Sequence, residues 1–237
     1  MNSDPAINTQ VNWLLGLIQS ADTFYPTGAY AHSYGLEGLV ESGVVRDRET
    51  LREFLLKMVL PQLHQVEITL ATHAWEALGR EDWDLLGEIC ILSSALKAPR
   101  ELREASEAMG RQRATLVQNL QEHPLAQKFN QLAKAHDWPC CLAVATALEA
   151  RVHGAPVTAV WAAVLYAAIA GVISSAMKLL RLGQNGAQTL LSEMLTLGSE
   201  ISPTVAHRPL SEIGWFNPWM DIASARHETA FARLFIS

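Results

Sequence analysis

The 237-residue chain is 49% apolar and 18% charged, with a net charge of −6 at neutral pH. That composition supports a buried core and excludes a disordered chain, while an acidic balance with no Lys/Arg stripe excludes general affinity for nucleic acid. Three cysteines, Cys90, Cys140 and Cys141, lack CxxC or CxxH spacing, so neither a disulfide framework nor a zinc site is expected and a reducing cytoplasm fits.

The N-terminus, "MNSDPAINTQVNWLLGLIQSAD", has no basic region or small-residue cleavage site of a signal peptide. Residues 1–8 are expected to be flexible and 9–20 to form a short apolar helix. Then comes "ADTFYPTGAYAHSYGLEGLVESG", residues 21–43. Pro26 at the second position of a type I turn, with Gly28 two residues later, ends the preceding chain and starts a helix near Ala29. At about 100° per residue, that helix sorts into three faces. Ala31, Gly35, Gly38 and Ser42 form a small stripe; His32, Leu36, Leu39 and Val40 an apolar one; Tyr30, Tyr34, Glu37 and Glu41 an aromatic and acidic one. Interior Gly35 and Gly38 cost about 1 kcal/mol each relative to alanine, so a neighbour must pack closely on the small stripe. His32 is then a buried, hydrogen-bonded structural residue, and Tyr30, Tyr34 and Glu37 point outward as a binding surface.

Helical spacing continues through 48–78, where Pro61 is expected to kink or split the run, and again at 81–97. Residues 99–120 begin at Pro99 and alternate Arg with Glu, which reads as a solvated face. Short helices follow near 125–135 and 139–151. From Ala155 to Met177 no residue is charged, a length that qualifies as a membrane span. Its many alanines instead favour a helix closely approached on all sides, the central buried helix of a bundle. That helix runs to about Leu182, "GQNG" at 183–186 interrupts it, and "AQTLLSEMLTLGSEI" resumes the spacing. Residues 203–220 read as an ordered surface connection. No run alternates with period two, so the expectation is all-α: one domain, 1–237, of roughly nine to ten helices.

Phosphate-loop, dinucleotide and HExxH motifs are absent, so no cofactor or nucleotide is expected on this chain. His32-Ser33 lacks a nucleophile elbow. Adjacent Cys140 and Cys141 diverge on a helix and read as small buried hydrophobes. The competing catalytic reading is a helical metal-dependent enzyme using His64, Glu67 and His73. At the C-terminus, Phe231, Leu234 and Phe235 have i, i+3, i+4 spacing and make an apolar knob that needs burial.

"LIQSADTFYPTGAYAHSYGLEGLVESGVV" resembles the N-terminal signature of the UreF family of urease accessory proteins, and "IASARHETAFARLFIS" resembles its C-terminal signature. "RELREAS", "HGAP" and "MKLLRLGQNGAQTLL" are similar to family segments in the same order. The resemblance implies a homodimeric all-α protein of the cytoplasm without catalysis or membrane attachment of its own. It implies a scaffold that joins UreD (UreH in some organisms) and recruits the GTPase UreG, so that nickel reaches apo-urease in a GTP-dependent step. Nickel and GTP then act in the complex. By position, Tyr30, Glu37, Lys178 and Arg233 resemble the GTPase-facing surface. Residues 222–237 resemble the segment that docks UreD/UreH, with His227, Glu228, Phe231, Leu234, Phe235 and Ser237 as its contacts; Pro26, Gly28, His32, Gly35 and Gly38 belong to the structural motif. Arg181 stands where the family usually has proline, so the helix is expected to continue there. Within 60–135 only "RELREAS" matches.

Overall fold

The computed structural model describes residues 5–22, 24–27, 35–219 and 222. Helix α1 is Pro5–Ala21, α2 Leu36–Glu41, α3 Arg48–Phe54, α4 Leu60–Gln62, α5 Ile68–Arg80, α6 Trp83–Ala95, α7 Arg100–Gln121, α8 Pro124–Ala135, α9 Leu142–Val152, α10 Val157–Leu179 and α11 Gln184–Val205. The fold is all-α, with no strand among the described residues. Helix α1 already begins at Pro5, inside the stretch expected to be flexible.

Asp47 starts α3 with a reciprocal cap: Thr50 N–H donates to Asp47 Oδ1 at 2.9 Å, and Asp47 N–H donates to Thr50 Oγ1 at 3.1 Å. From Arg48 to Arg80 the backbone then stays helical, because two π turns, Leu55–Val59 and Leu63–Glu67, flank α4. Pro61 lacks an N–H and its ring crowds the preceding turn, and the widened turns accommodate it where a kink or split was expected. Counting this run as one rod gives nine helices among the described residues.

The central helix is α9, not the long uncharged one. Residues 143–150 are buried without interruption, with α5 and α7 both packed against the helix. Alanine at 143, 145, 147 and 150 lets both neighbours approach. Helix α7 closes on this region through Gly110, where an ideal Cβ would stand 2.0 Å from the carbonyl oxygen of Cys140. The solvated face expected for 99–120 is therefore half of the truth. Ala105, Met109, Gly110, Arg113, Ala114 and Val117 of α7 are buried.

Helix α10 buries Val160, Val164, Leu165, Ile169, Val172 and Ile173 against the bundle. Ala162, Tyr166, Ala167, Met177 and Lys178 remain exposed along its other side. It is long and apolar enough to cross a membrane, yet its large aliphatic side chains are already inside the bundle. The expectation of burial on all sides was wrong because alanine permits close neighbours without requiring them. The helix ends at Leu179, and Leu180 is extended, so the break persists with Arg181 in place of proline. Helix α11 restarts directly at Gln184, inside the expected turn.

Candidate partner-binding surfaces

The opening motif departs from its expected geometry on both sides. Before it, Thr27 N–H donates to Tyr25 O at 2.7 Å, closing a three-residue turn centred on Pro26. The Gly28 position of the expected four-residue turn lies outside the described residues, as do Tyr30, His32 and Tyr34. After it, Gly35 takes φ +76°, a left-handed conformation that glycine adopts without strain, and α2 begins only at Leu36. The three faces sorted as one continuous helix do not carry across Gly35. Glu37 is correspondingly 4% exposed, buried within its own chain where an outward position was expected. Gly38 lies inside α2, half-buried. Of the proposed GTPase-facing set, Lys178 is exposed in the last turn of α10, where a cation complements the helix dipole. Arg233 and the tail residues His227, Glu228, Phe231, Leu234, Phe235 and Ser237 lie outside the described residues.

The residues of the catalytic alternative do not converge. His64 Nε2 lies 3.0 Å from Gly198 O and His73 Nε2 lies 2.8 Å from Arg208 O; since a carbonyl only accepts, each nitrogen donates. Glu67 pairs with the buried Lys97 ammonium at 3.0 Å. Among the described residues no group of three His, Cys, Asp or Glu side chains is arranged to hold a metal ion. Cys90, Cys140 and Cys141 are free and buried, as expected of small hydrophobes, and burial pushes the Cys90 thiol up to about 12.

Burial holds both His64 and His153 below the ordinary histidine range. The unfolded chain binds protons at these positions near pH 6.5 before the folded chain does. Their contribution to stability is therefore full above about pH 6.5 and is lost as pH falls through that value toward the folded ones. Urea midpoints should decline from pH 7.5 to 5.5, and His153→Gln should flatten that decline. An unchanged slope would contradict the assignment.

A buried ionic cluster escaped the sequence reading. Glu149 on α9, 1% exposed, accepts from Arg113 Nε at 2.6 Å through Oε2 and from the Tyr25 hydroxyl at 2.6 Å through Oε1. Arg113 Nη2 also pairs with Oε2. The available signal was a lone acid in the alanine-rich "LAVATALEARV"; its partners, distant in sequence, gave none.

Exposed apolar side chains dominate three places. Phe24 is 84% exposed beside the Pro26 turn. Phe216 and Trp219 are 82% and 68% exposed around the buried Asn217. Leu14 and Ile18 of α1 continue the open face of α10, and between these two helices runs a groove of about 710 Å³ lined by Trp13, Leu17, Ala162, Ala163 and Tyr166. Contiguous apolar surface of this kind marks interaction sites.

Comparison with known proteins agrees with an accessory role. The family described as UreF matches residues 45–195. A protein named "Urease accessory protein UreF" from Bacillus sp. (strain TB-90) is 28% identical over 228 residues, covering 96% of this chain and 100% of that protein. One of the same name from Magnetococcus marinus is 32% identical over 220 residues, covering 90% and 93%. Another, from Arthrobacter sp. (strain FB24), is 30% identical over 226 residues, covering 95% and 98%.

Proposed function

Since the chain belongs to the UreF family of urease accessory proteins, and its role is accordingly non-enzymatic, we propose that it is the scaffold on which UreD/UreH and the GTPase UreG meet apo-urease. Nickel delivery is GTP-dependent in this reading, with nickel and GTP handled by the complex and no cofactor held by this chain, which acts in the cytoplasm. The observation that carries it is the placement of surface chemistry. The candidate catalytic groups His64, Glu67 and His73 are occupied by partners within the chain, whereas Phe24, Tyr166, Phe216 and Trp219 stand open.

The open face of α10 is assigned to a second copy of the chain. From Val157 to Met177 that helix carries no charge, and a two-fold interface sets a patch against itself, so an uncharged patch meets no like-charge repulsion. Lys178, Tyr30 and Arg233 are assigned to the GTPase. Glu37 keeps a place in that assignment through the position of α2 rather than as an exposed contact. Residues 222–237 are assigned to UreD/UreH, their Phe231, Leu234 and Phe235 supplying apolar area and Arg233 a partner for carboxylates.

Deleting residues 228–237 should abolish UreD/UreH retention in a pull-down and leave helical content unchanged. Lys178→Ala should weaken UreG retention about five- to tenfold with no shift in melting temperature. Normal retention by the truncated chain would remove the tail from the mechanism.

A further inference from the structure

The Tyr25–Glu149–Arg113 cluster joins three pieces of chain that share no other obvious purpose. Arg113 comes from α7 and Glu149 from α9, and these two charges already satisfy one another through Oε2. Tyr25 comes from the segment between α1 and α2 and takes the remaining oxygen, Oε1. Its ring also lies 5.8 Å from the Arg113 guanidinium carbon. Burial, reinforced by the Glu149 charge, holds the Tyr25 phenol far above the usual tyrosine range, so it remains a donor.

What this contact fixes is a wall. Tyr25 N–H donates to Asp22 O at 3.1 Å, Phe24 N–H to Asp22 Oδ1 at 3.1 Å and Thr27 N–H to Tyr25 O at 2.7 Å. With the Tyr25 side chain anchored, Phe24 is turned outward. Opposite this wall stand Tyr166 and Met177 of α10 and Gln188 of α11, across a groove of about 470 Å³. Asp22, Arg113, Tyr166 and Ala167 line both this groove and the one between α1 and α10. The cluster therefore sits beneath the junction of the two grooves that border the open face of α10.

We infer that Tyr25, Arg113 and Glu149 form a latch that holds Phe24 and the Pro26 turn as one wall of the surface on which a second copy of the chain docks. Tyr25 is a positioning residue in this arrangement, and Phe24 is the side chain it presents. The inference rests on the self-association proposed above and identifies what orients that surface.

Tyr25→Phe in the full-length chain isolates the latch, since the ring remains and only the hydroxyl is lost. Two readouts are needed: the dimer dissociation constant from sedimentation over a concentration series, and hydrogen exchange at the amides of Tyr25 and Thr27. The hydroxyl donates to a buried charge, so its loss should raise the dissociation constant about tenfold and speed exchange at those amides, with the α5 and α9 amides unchanged. Phe24→Ser should weaken the dimer while leaving exchange at Tyr25 and Thr27 as in the wild type. Unchanged exchange in Tyr25→Phe overturns the latch. Faster exchange with an unchanged dimer overturns its role in docking. A wild-type chain that is monomeric up to roughly 100 µM overturns the self-association reading itself, and with it the docking role, a failure separable from the other two.

Discussion

Arg113→Ala is expected to lower the free energy of unfolding by about 3–5 kcal/mol, because it leaves the Glu149 carboxylate buried with one neutral donor. Arg113 is 5% exposed and Glu149 1%, so in the native arrangement the guanidinium, not water, faces the carboxylate. Denaturant unfolding measures the effect directly. The pair itself is not a large net source of stability: two buried charges lose hydration, and their attraction offsets that loss only partly. Arg113→Met combined with Glu149→Leu should therefore recover most of the deficit of the single variant. The double variant should still lose Tyr25 from its anchor, which separates the stability of the bundle from the placement of the groove wall. A loss below about 1 kcal/mol in Arg113→Ala would mean that the carboxylate finds other partners.

Gly110→Ala should cost about 3 kcal/mol, against the usual gain from replacing a helical glycine. The added methyl group would meet backbone on its far side, 2.0 Å from the carbonyl oxygen of Cys140 and 2.6 Å from the carbonyl carbon of Cys141. Backbone at the start of α9 has no rotamer to change, so α7 must move away and take Arg113 with it. Gly171→Ala on α10 gives the opposite sign. Nothing lies within 4 Å of its ideal Cβ, and the helix should gain up to about 1 kcal/mol. Equal effects at the two positions, measured by thermal unfolding, would contradict the packing described for α7.

Most helices were legible because their apolar residues recur with a helical period and their ends carry recognisable signals. The run expected at 81–97 is α6, Trp83–Ala95, started by Asp82, whose carboxylate accepts from Leu85 N–H. Pro99 precedes α7 directly, as a residue with fixed φ ahead of a first turn should. The departures in burial at α7 and α10 have one cause. Sequence reports which surfaces are apolar and how close a neighbour is able to come, but the choice of neighbour is tertiary. Ala-rich α9 and Ala-rich α10 look alike by composition; only packing against α5 and α7 puts the shorter one in the centre.

The candidate site was legible in its resemblance and less so in its geometry. Counting 100° steps from Ala29 places Glu37 outward, and one left-handed residue, Gly35, invalidates the count. Lys178 needed no such count, since it is exposed in the last turn of an otherwise uncharged helix. The latch needed Tyr25, Arg113 and Glu149 to be seen together, across separations of 36 and 124 residues. A charged helix such as α7 hides one buried arginine among Arg100, Arg103 and Arg111, which are exposed or half-buried. The same holds at Glu67, which the competing metal-dependent reading groups with His64 and His73 and which pairs with Lys97.

The scaffold role is tested most directly by co-expressing the tagged full-length chain with UreD/UreH and UreG and isolating it with and without GTP and nickel. The account predicts that UreD/UreH and UreG are both retained on the tag. Isolation of the tagged chain alone under every condition, with the other two proteins present and folded in the same extract, would contradict it.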